Sequence, residues 1–271
     1  MSILSHYLFR LFKVLSRHVP YFENLFRLLR FFTSPSTRRS ADKFADTIID
    51  YHSNTMKSKF ILYQNCLQKK YNGDEWEFEV SIYFRSLDKL LPLEKKVIDL
   101  SYGNILDIGS STGYNIPYLM EKGTVTGIEI SPRINNIARK GGIDNCVTGD
   151  IFTYKFNKKF DTITLIGNDI TISGTLYRLK KMLKRFAELL NENGQVLIII
   201  RHIQTLKYWH VVFTPQYDGH FGIPFKCIFL NVYYFKKLAT KYSFNANILG
   251  KDESTGALYY LIKLVKSSEL Q

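Results

Sequence analysis

From residue 104 onward, short apolar runs alternate with amphipathic stretches in an order that few architectures accept. Strand candidates at 104–108, 124–130, 144–148, 161–167 and 195–200 are interleaved with helix candidates at 114–122, 132–140 and 175–191. Nearly continuous apolar runs suit strands buried on both faces, and helices between them supply the crossovers that parallel strands require. The expected class is therefore α/β, a doubly wound, mostly parallel sheet with helices on both faces. Further on, "YWHVVFTPQY" and "FKCIFL" read as strands around a Gly-rich turn, Asn231 opens a further helix, and "NANILG" and "ALYYLIKLV" read as two last strands turned by "KDESTG".

The chain before residue 104 has a different character. Residues 3–17 place Ile3, Leu4, Tyr7, Leu8, Leu11, Phe12 and Leu15 at helical spacing with basic residues between them, and a similar stretch follows Pro20. "TSPSTRRS" at 33–40 reads as a linker, residues 41–72 as mostly helical, and 74–100 as a polar-aromatic loop leading into helix. The expected organisation is a basic amphipathic helical extension (1–40), a helical cap or lid (41–102) and a main domain (103–271).

The formal net charge is +13, which raises nucleic acid or an anionic membrane as partners. Its distribution weakens the first idea, because residues 1–40 hold seven basic residues against Glu23 alone. Two readings of residues 1–32 stand side by side: a helical pair packed on the main domain, or a peripheral anchor on an anionic membrane surface. No run of about 18 apolar residues suggests a membrane span, and the start lacks the small-residue cleavage site of a secretory signal. Cys66, Cys146 and Cys227 are scattered without CxxC spacing, so neither a zinc site nor a disulfide framework is expected. A reducing, cytoplasmic setting and no metal are the corresponding expectations.

"ILDIGSSTGYN" (105–115) ends a strand candidate on Asp107 and then breaks into Gly109, Ser110, Ser111, Thr112 and Gly113 before a helix. In a parallel open sheet, ligands lie beyond the carboxyl ends of the strands, where glycines let the backbone approach them. Two more acids fall at successive strand ends: Glu129 closes "TVTGIEI" and Asp150 closes "CVTGD". A carboxylate in the position of Glu129 can accept both hydroxyls of a ribose, and one at Asp150 an adenine amino group. A dinucleotide fingerprint would read G-x-G-x-x-G, whereas Ser111 stands at the middle glycine and Asp107 would face phosphates. Like charges close together in a partly dry site are costly, so the acids favour a cofactor with a cationic end.

Residues 100–201 thus resemble a class I S-adenosylmethionine-dependent methyltransferase. "LDIGSSTG" resembles the first motif of that family, "GIEIS" its ribose-binding acid, "TGDI" its adenine-contacting acid, and "FDTITLIGNDI" its fourth strand and active-site mouth. "ELLNENGQVLIII" resembles the next helix, turn and fifth strand, and residues 231–265 the closing helix and hairpin. More narrowly, "YFRS…LPLEKKVIDL" and "LIGNDITISGTL" resemble a group of bacterial small-molecule methyltransferases. The resemblance implies a seven-stranded sheet with an antiparallel last strand and S-adenosyl-L-methionine as cofactor. It implies Asp107, Gly109, Ser110, Ser111, Gly113, Glu129, Ile130, Asp150, Ile151, Gly167 and Asn168 as cofactor residues.

Methyl transfer from a sulfonium is an in-line displacement, so alignment in a dry pocket matters more than acid–base chemistry. Catalytic candidates are Asn168 and Asp169 after the fourth strand and His202 after the fifth; acceptor candidates are Arg201, Tyr51, Trp76 and Tyr83. Base methyltransferases of this fold often carry an N-P-P-Y-like signature, and the loop here reads "GNDI". The expected acceptor is a small-molecule or lipid nitrogen or oxygen. An RNA methyltransferase and a non-catalytic cofactor-binding module are the alternatives.

Overall fold

The structure, a computed structural model, describes residues 37–66 and 74–267. The amphipathic stretch at 1–32, with its membrane and packing readings, lies outside these residues. Seven strands form the main sheet: β3 (Gly103–Ile108), β4 (Gly123–Glu129), β5 (Cys146–Thr148), β6 (Phe160–Leu165), β7 (Leu190–Arg201), β11 (Phe244–Asp252) and β12 (Tyr259–Lys266). Their spatial order is β11-β12-β7-β6-β3-β4-β5. Strand order reverses at β3, whose neighbours β4 and β6 both run parallel to it. β12 alone opposes its two neighbours, β7 and β11.

Five helices lie against this sheet or beside it: α2 (Pro92–Leu100), α3 (Ile116–Met120), α4 (Pro132–Lys140), α5 (Leu176–Leu189) and α6 (Val232–Thr240). Their starts are set locally. The amides of Ile134, Arg178 and of Tyr233 with Tyr234 donate to the side chains of Ser131, Thr175 and Asn231, satisfying otherwise orphaned groups. Pro92 and Pro132 occupy first-turn positions, where a missing N–H costs nothing. The largest core joins α5, α6 and the sheet through Phe160, Phe186, Phe235 and Phe244, all fully buried.

A second, antiparallel sheet departs from the expected helical cap. Helix α1 (Thr37–His52) ends at Ser53 and Asn54, the latter in the left-handed region at φ 55°. The chain then forms β1 (Ile61–Cys66) and β2 (Asp74–Glu77), which pair with each other. Residues 53–66 are therefore not helical, and 74–77 is strand rather than loop. The reason is a distant partner: β1 also pairs with β8 (Tyr208–Tyr217), which carries β9 (His220–Phe221) and β10 (Phe225–Leu230). The order β10-β8-β1-β2 makes a cap over the carboxyl ends of β3, β6 and β7. Among the described residues, no helix is long and apolar enough to cross a membrane.

The cap coheres through rings. Phe44 of α1 meets Phe60 edge-on at 4.6 Å and Phe78 at 5.5 Å, while buried Phe213 lies 5.7 Å from Phe225 and 6.2 Å from both Trp76 and Phe229. Truncating a buried phenylalanine removes transfer free energy and leaves a cavity. Phe213→Ala is expected to lower stability by about 3 kcal/mol or more, read as a shift of the urea midpoint with an unchanged slope.

Candidate active-site cleft

β3 delivers Asp107 to the switch point of the sheet, and the turn after it bends under tight restraint. The amides of Gly109 and Ser110 donate to the Ile128 carbonyl at 3.0 and 3.2 Å, tying the turn to β4. Gly109 has φ +79°, and a Cβ there would sit 3.2 Å from the Asp169 carboxyl carbon. Glycine is what lets backbone and carboxylate come so close. Gly113 serves packing instead: at φ +80° its absent Cβ would meet Ile143 at 2.9 Å and Ala138 at 3.1 Å. Ser111, at the position of the middle glycine, adopts φ 50°, a left-handed conformation that costs a non-glycine residue roughly 1 kcal/mol.

Glu129, at the end of β4, is buried and pinned by two backbone amides. Ser111 N donates to Oε2 at 3.2 Å and Ser131 N to Oε1 at 2.8 Å. Asp150 follows β5; its Oδ1 accepts from Phe152 N at 3.0 Å, and Arg178 stands 3.8 Å from Oδ2. The Arg178 guanidinium in turn lies over the Phe152 ring at 4.1 Å. Asp107 is only 2 % exposed, with Thr164 Oγ1 donating to Oδ1 at 2.7 Å.

These residues line one cleft with two arms. The smaller, of about 190 Å³, is walled by Gly109, Ser111, Glu129, Ile130, Asp150 and Ile151, with Phe44 and Ile48 of α1 opposite. The larger, of about 470 Å³, is walled by Asp107, Gly167, Asn168, Asp169, Arg201 and the aromatic underside of the cap, including Trp76, Phe225 and Phe229. Tyr83, Gly109, Ser111 and Asp169 belong to both.

The electrostatics of the cleft are dominated by carboxylates without full compensation. Burial pushes the Asp107 carboxyl up to about 7, although the Thr164 hydroxyl acts in the opposite direction. Asp169 is held well above the usual carboxylate range, first by burial and then by the charges of Asp107, Glu129 and Glu94. Glu94 itself is matched, its Oε1 2.6 Å from Arg85 and its Oε2 accepting from Leu91 N at 2.8 Å. Buried side-chain oxygens of Ser111 and Asn115 have no partner among the described residues. Uncompensated acids, a backbone stripped of side chains and unsatisfied oxygens together fit a ligand with a cationic centre and several hydrogen-bonding groups.

The cleft gathers most of the residues singled out from sequence, but not all. His202 lines neither arm: its Nδ1 accepts from Val232 N at 3.1 Å, and its ring meets Tyr233 and Tyr260 edge-on. It caps α6, a structural task that any strand-end histidine near a helix start can take. Tyr51 stacks on Phe84 at 5.2 Å and also lies outside the cleft walls, as do Ser110 and Gly113. Asn168, at φ 70°, accepts from Arg201 N at 2.9 Å and so clamps the loop after β6 to the end of β7. Phe44, Ile48, Glu94, Tyr114 and Arg178 line the cleft without having been signalled, since each sits on an element whose approach to the site depends on tertiary pairing.

Residues 105–194 match a family model described as a methyltransferase domain. No curated protein matches the chain. Among solved structures, an S-adenosylmethionine-dependent methyltransferase from Bacteroides fragilis in complex with S-adenosyl-L-homocysteine is 20% identical, with a TM-score of 0.71, over 87% of this chain and 98% of that one. The sugar N-methyltransferase KedS8 from Streptoalloteichus sp. is 13% identical, with a TM-score of 0.51, over 74% of this chain and 98% of that one. CalS10, an amino pentose methyltransferase from Micromonospora echinaspora, is 12% identical with a TM-score of 0.50, over 70% of this chain and 98% of that one. The structural likenesses establish the fold, and the family match places a methyltransferase domain at residues 105–194.

Because the folded Asp107 carboxyl titrates near 7, its neutral form is favoured in the fold. Its contribution is full below the ordinary carboxylate range, near 4, and is lost as the pH rises to about 7. The loss is on the order of 4 kcal/mol. Asp107→Asn keeps an oxygen for Thr164 and removes the charge. Urea midpoints between pH 5 and 8 are expected to fall with pH in the parent protein and to fall less in this variant, with Asp169 supplying the remaining slope.

Proposed function

We propose that this chain transfers the methyl group of S-adenosyl-L-methionine to a nitrogen or oxygen of a small-molecule acceptor. The observation that carries the reading is the convergence of Asp107, Glu129, Asp150 and Asp169 on one cleft with two arms. When bound, the cofactor supplies a methyl group already activated by the sulfonium. The chain's task is to hold the donor, align the acceptor and keep water out.

In the smaller arm, Glu129, held in place by two backbone amides, presents its carboxylate to the ribose hydroxyls. Ile151, 5% exposed, and Ile130 give the adenine an apolar bed, with Asp150 at its polar edge. Asp107 and Asp169 hold the positively charged portion, which in turn compensates the acids. Gly109 lets that portion approach the backbone. The larger arm takes the acceptor beneath the aromatic cap, whose rings exclude water. A proton released by the acceptor passes to Asp169 in its ionised form, whose proton affinity burial and the neighbouring acids raise above the usual carboxylate range. An enclosed arm of about 470 Å³ suits a small molecule rather than a macromolecular chain, and the likeness to solved sugar and amino-sugar methyltransferases supports the same choice.

Calorimetry with S-adenosyl-L-methionine tests the reading. Binding is expected, with Asp107→Asn and Glu129→Gln each weakening it about tenfold or more, as loss of a charged hydrogen-bonding partner implies. Affinity in the parent protein is expected to rise with pH toward 7, because only the ionised Asp107 attracts a cation. Equal affinity in both variants would refute the assignment.

A further inference from the structure

We propose, resting on the methyl-transfer reading above, that the acceptor carries an anionic group, a carboxylate or a phosphate, which Arg201 receives. Arg201 ends β7 and lines the larger arm. Its backbone is fixed, since its N–H donates to the Asn168 side chain at 2.9 Å. Its guanidinium is set among rings of the cap, 5.8 Å from the centre of Trp76 on β2 and 5.9 Å from that of Phe229 on β10.

What Arg201 lacks is an acid. Among the described residues no carboxylate lies within ion-pair distance of it, whereas two other arginines of the cleft wall each have one: Arg85 has Glu94 at 2.6 Å and Arg178 has Asp150 at 3.8 Å. Glu77, a wall residue of the same arm, is already joined to Lys59 at 2.6 Å. Aromatic faces attract a guanidinium through its flat surface and leave its edge, with N–H groups in a fixed fork, open to a planar or tetrahedral anion. A half-buried arginine oriented by rings and by a clamped backbone has lost much of its freedom before any ligand arrives, so recognition costs little further ordering.

The cleft is thereby polarised. Asp107 and Asp169 lie on the wall made by the ends of β3 and β6, and Arg201 on the wall made by β7 under the cap. An acceptor whose nucleophile faces the acids and whose anionic group faces Arg201 can enter in only one orientation. A purely structural Arg201, tying the cap to the main sheet, would satisfy the ring contacts but would have no preference among anions.

The two are separated by titrating anions into protein saturated with S-adenosyl-L-homocysteine, with Trp209→Phe as background so that Trp76 is the fluorophore. Inorganic pyrophosphate and succinate serve as the phosphate and carboxylate probes, at ionic strength held constant with chloride. A saturable change in Trp76 fluorescence with one of them is expected, and the stronger probe names the anion class. Arg201→Gln should weaken it roughly tenfold or more and Arg201→Lys less, both keeping the parent affinity for S-adenosyl-L-homocysteine. No saturable response beyond that of chloride, or equal binding in Arg201→Gln, would overturn the proposal. Should S-adenosyl-L-homocysteine itself fail to bind, the underlying reading fails, and the anion titration of the same sample still decides Arg201.

Discussion

Carboxylates at the carboxyl ends of parallel strands, of which Asp107 and Asp169 have no cation within ion-pair distance among the described residues, are the constraint around which the site is organised. Asp107 lies on the central strand, where order reverses, and cannot be hydrated as it would be on the surface. The fold tolerates it by supplying a hydroxyl from Thr164 and by allowing it to hold a proton. Asp169 is drawn into the same field because Gly109 offers no side chain to keep it away. Keeping these carboxyl groups away from water costs stability, and a cationic ligand would offset part of that cost.

Division of labour follows from having two sheets. The parallel sheet presents acids and backbone to the smaller arm, and its geometry is set by short connections between neighbouring strands. The antiparallel cap contributes rings, from Trp76, Phe213, Phe225 and Phe229, that determine what else can enter. Tyr83 joins the two functions: it borders both arms, and the Thr112 hydroxyl in the first turn donates to its backbone carbonyl. Asn168 does the same on the far side by holding Arg201.

The parallel sheet was legible in the sequence because its signals are local. Apolar runs ended where strands end, Ser131, Thr175 and Asn231 started helices, and the closing hairpin turned within "KDESTG". The acids at strand ends were legible for the same reason. Of the cap, "YWHVVFTPQY" and "FKCIFL" were legible and form β8 and β10, but β1 was not, because "ILYQNC" has no alternating pattern of its own and becomes a strand only through β8; Tyr63, for example, bonds to Gln216 across 153 positions. Residues that reach the cleft by way of the cap or of α1, such as Phe44 and Ile48, were invisible for that reason. His202 shows the converse, since its place at a strand end is shared by catalytic and capping histidines, and the bond it accepts from Val232 depends on where α6 packs.

The pairing of β1 with β8 also imposes an order on biosynthesis. During translation the parallel sheet has all its strands through β6 available well before Tyr217 leaves the ribosome, whereas β1 must wait unpartnered on its outer edge until then. A nascent or truncated chain that stops short of β8 would therefore own the floor of the cleft with no roof over it. The aromatic ceiling is the last part of the cleft this polypeptide completes.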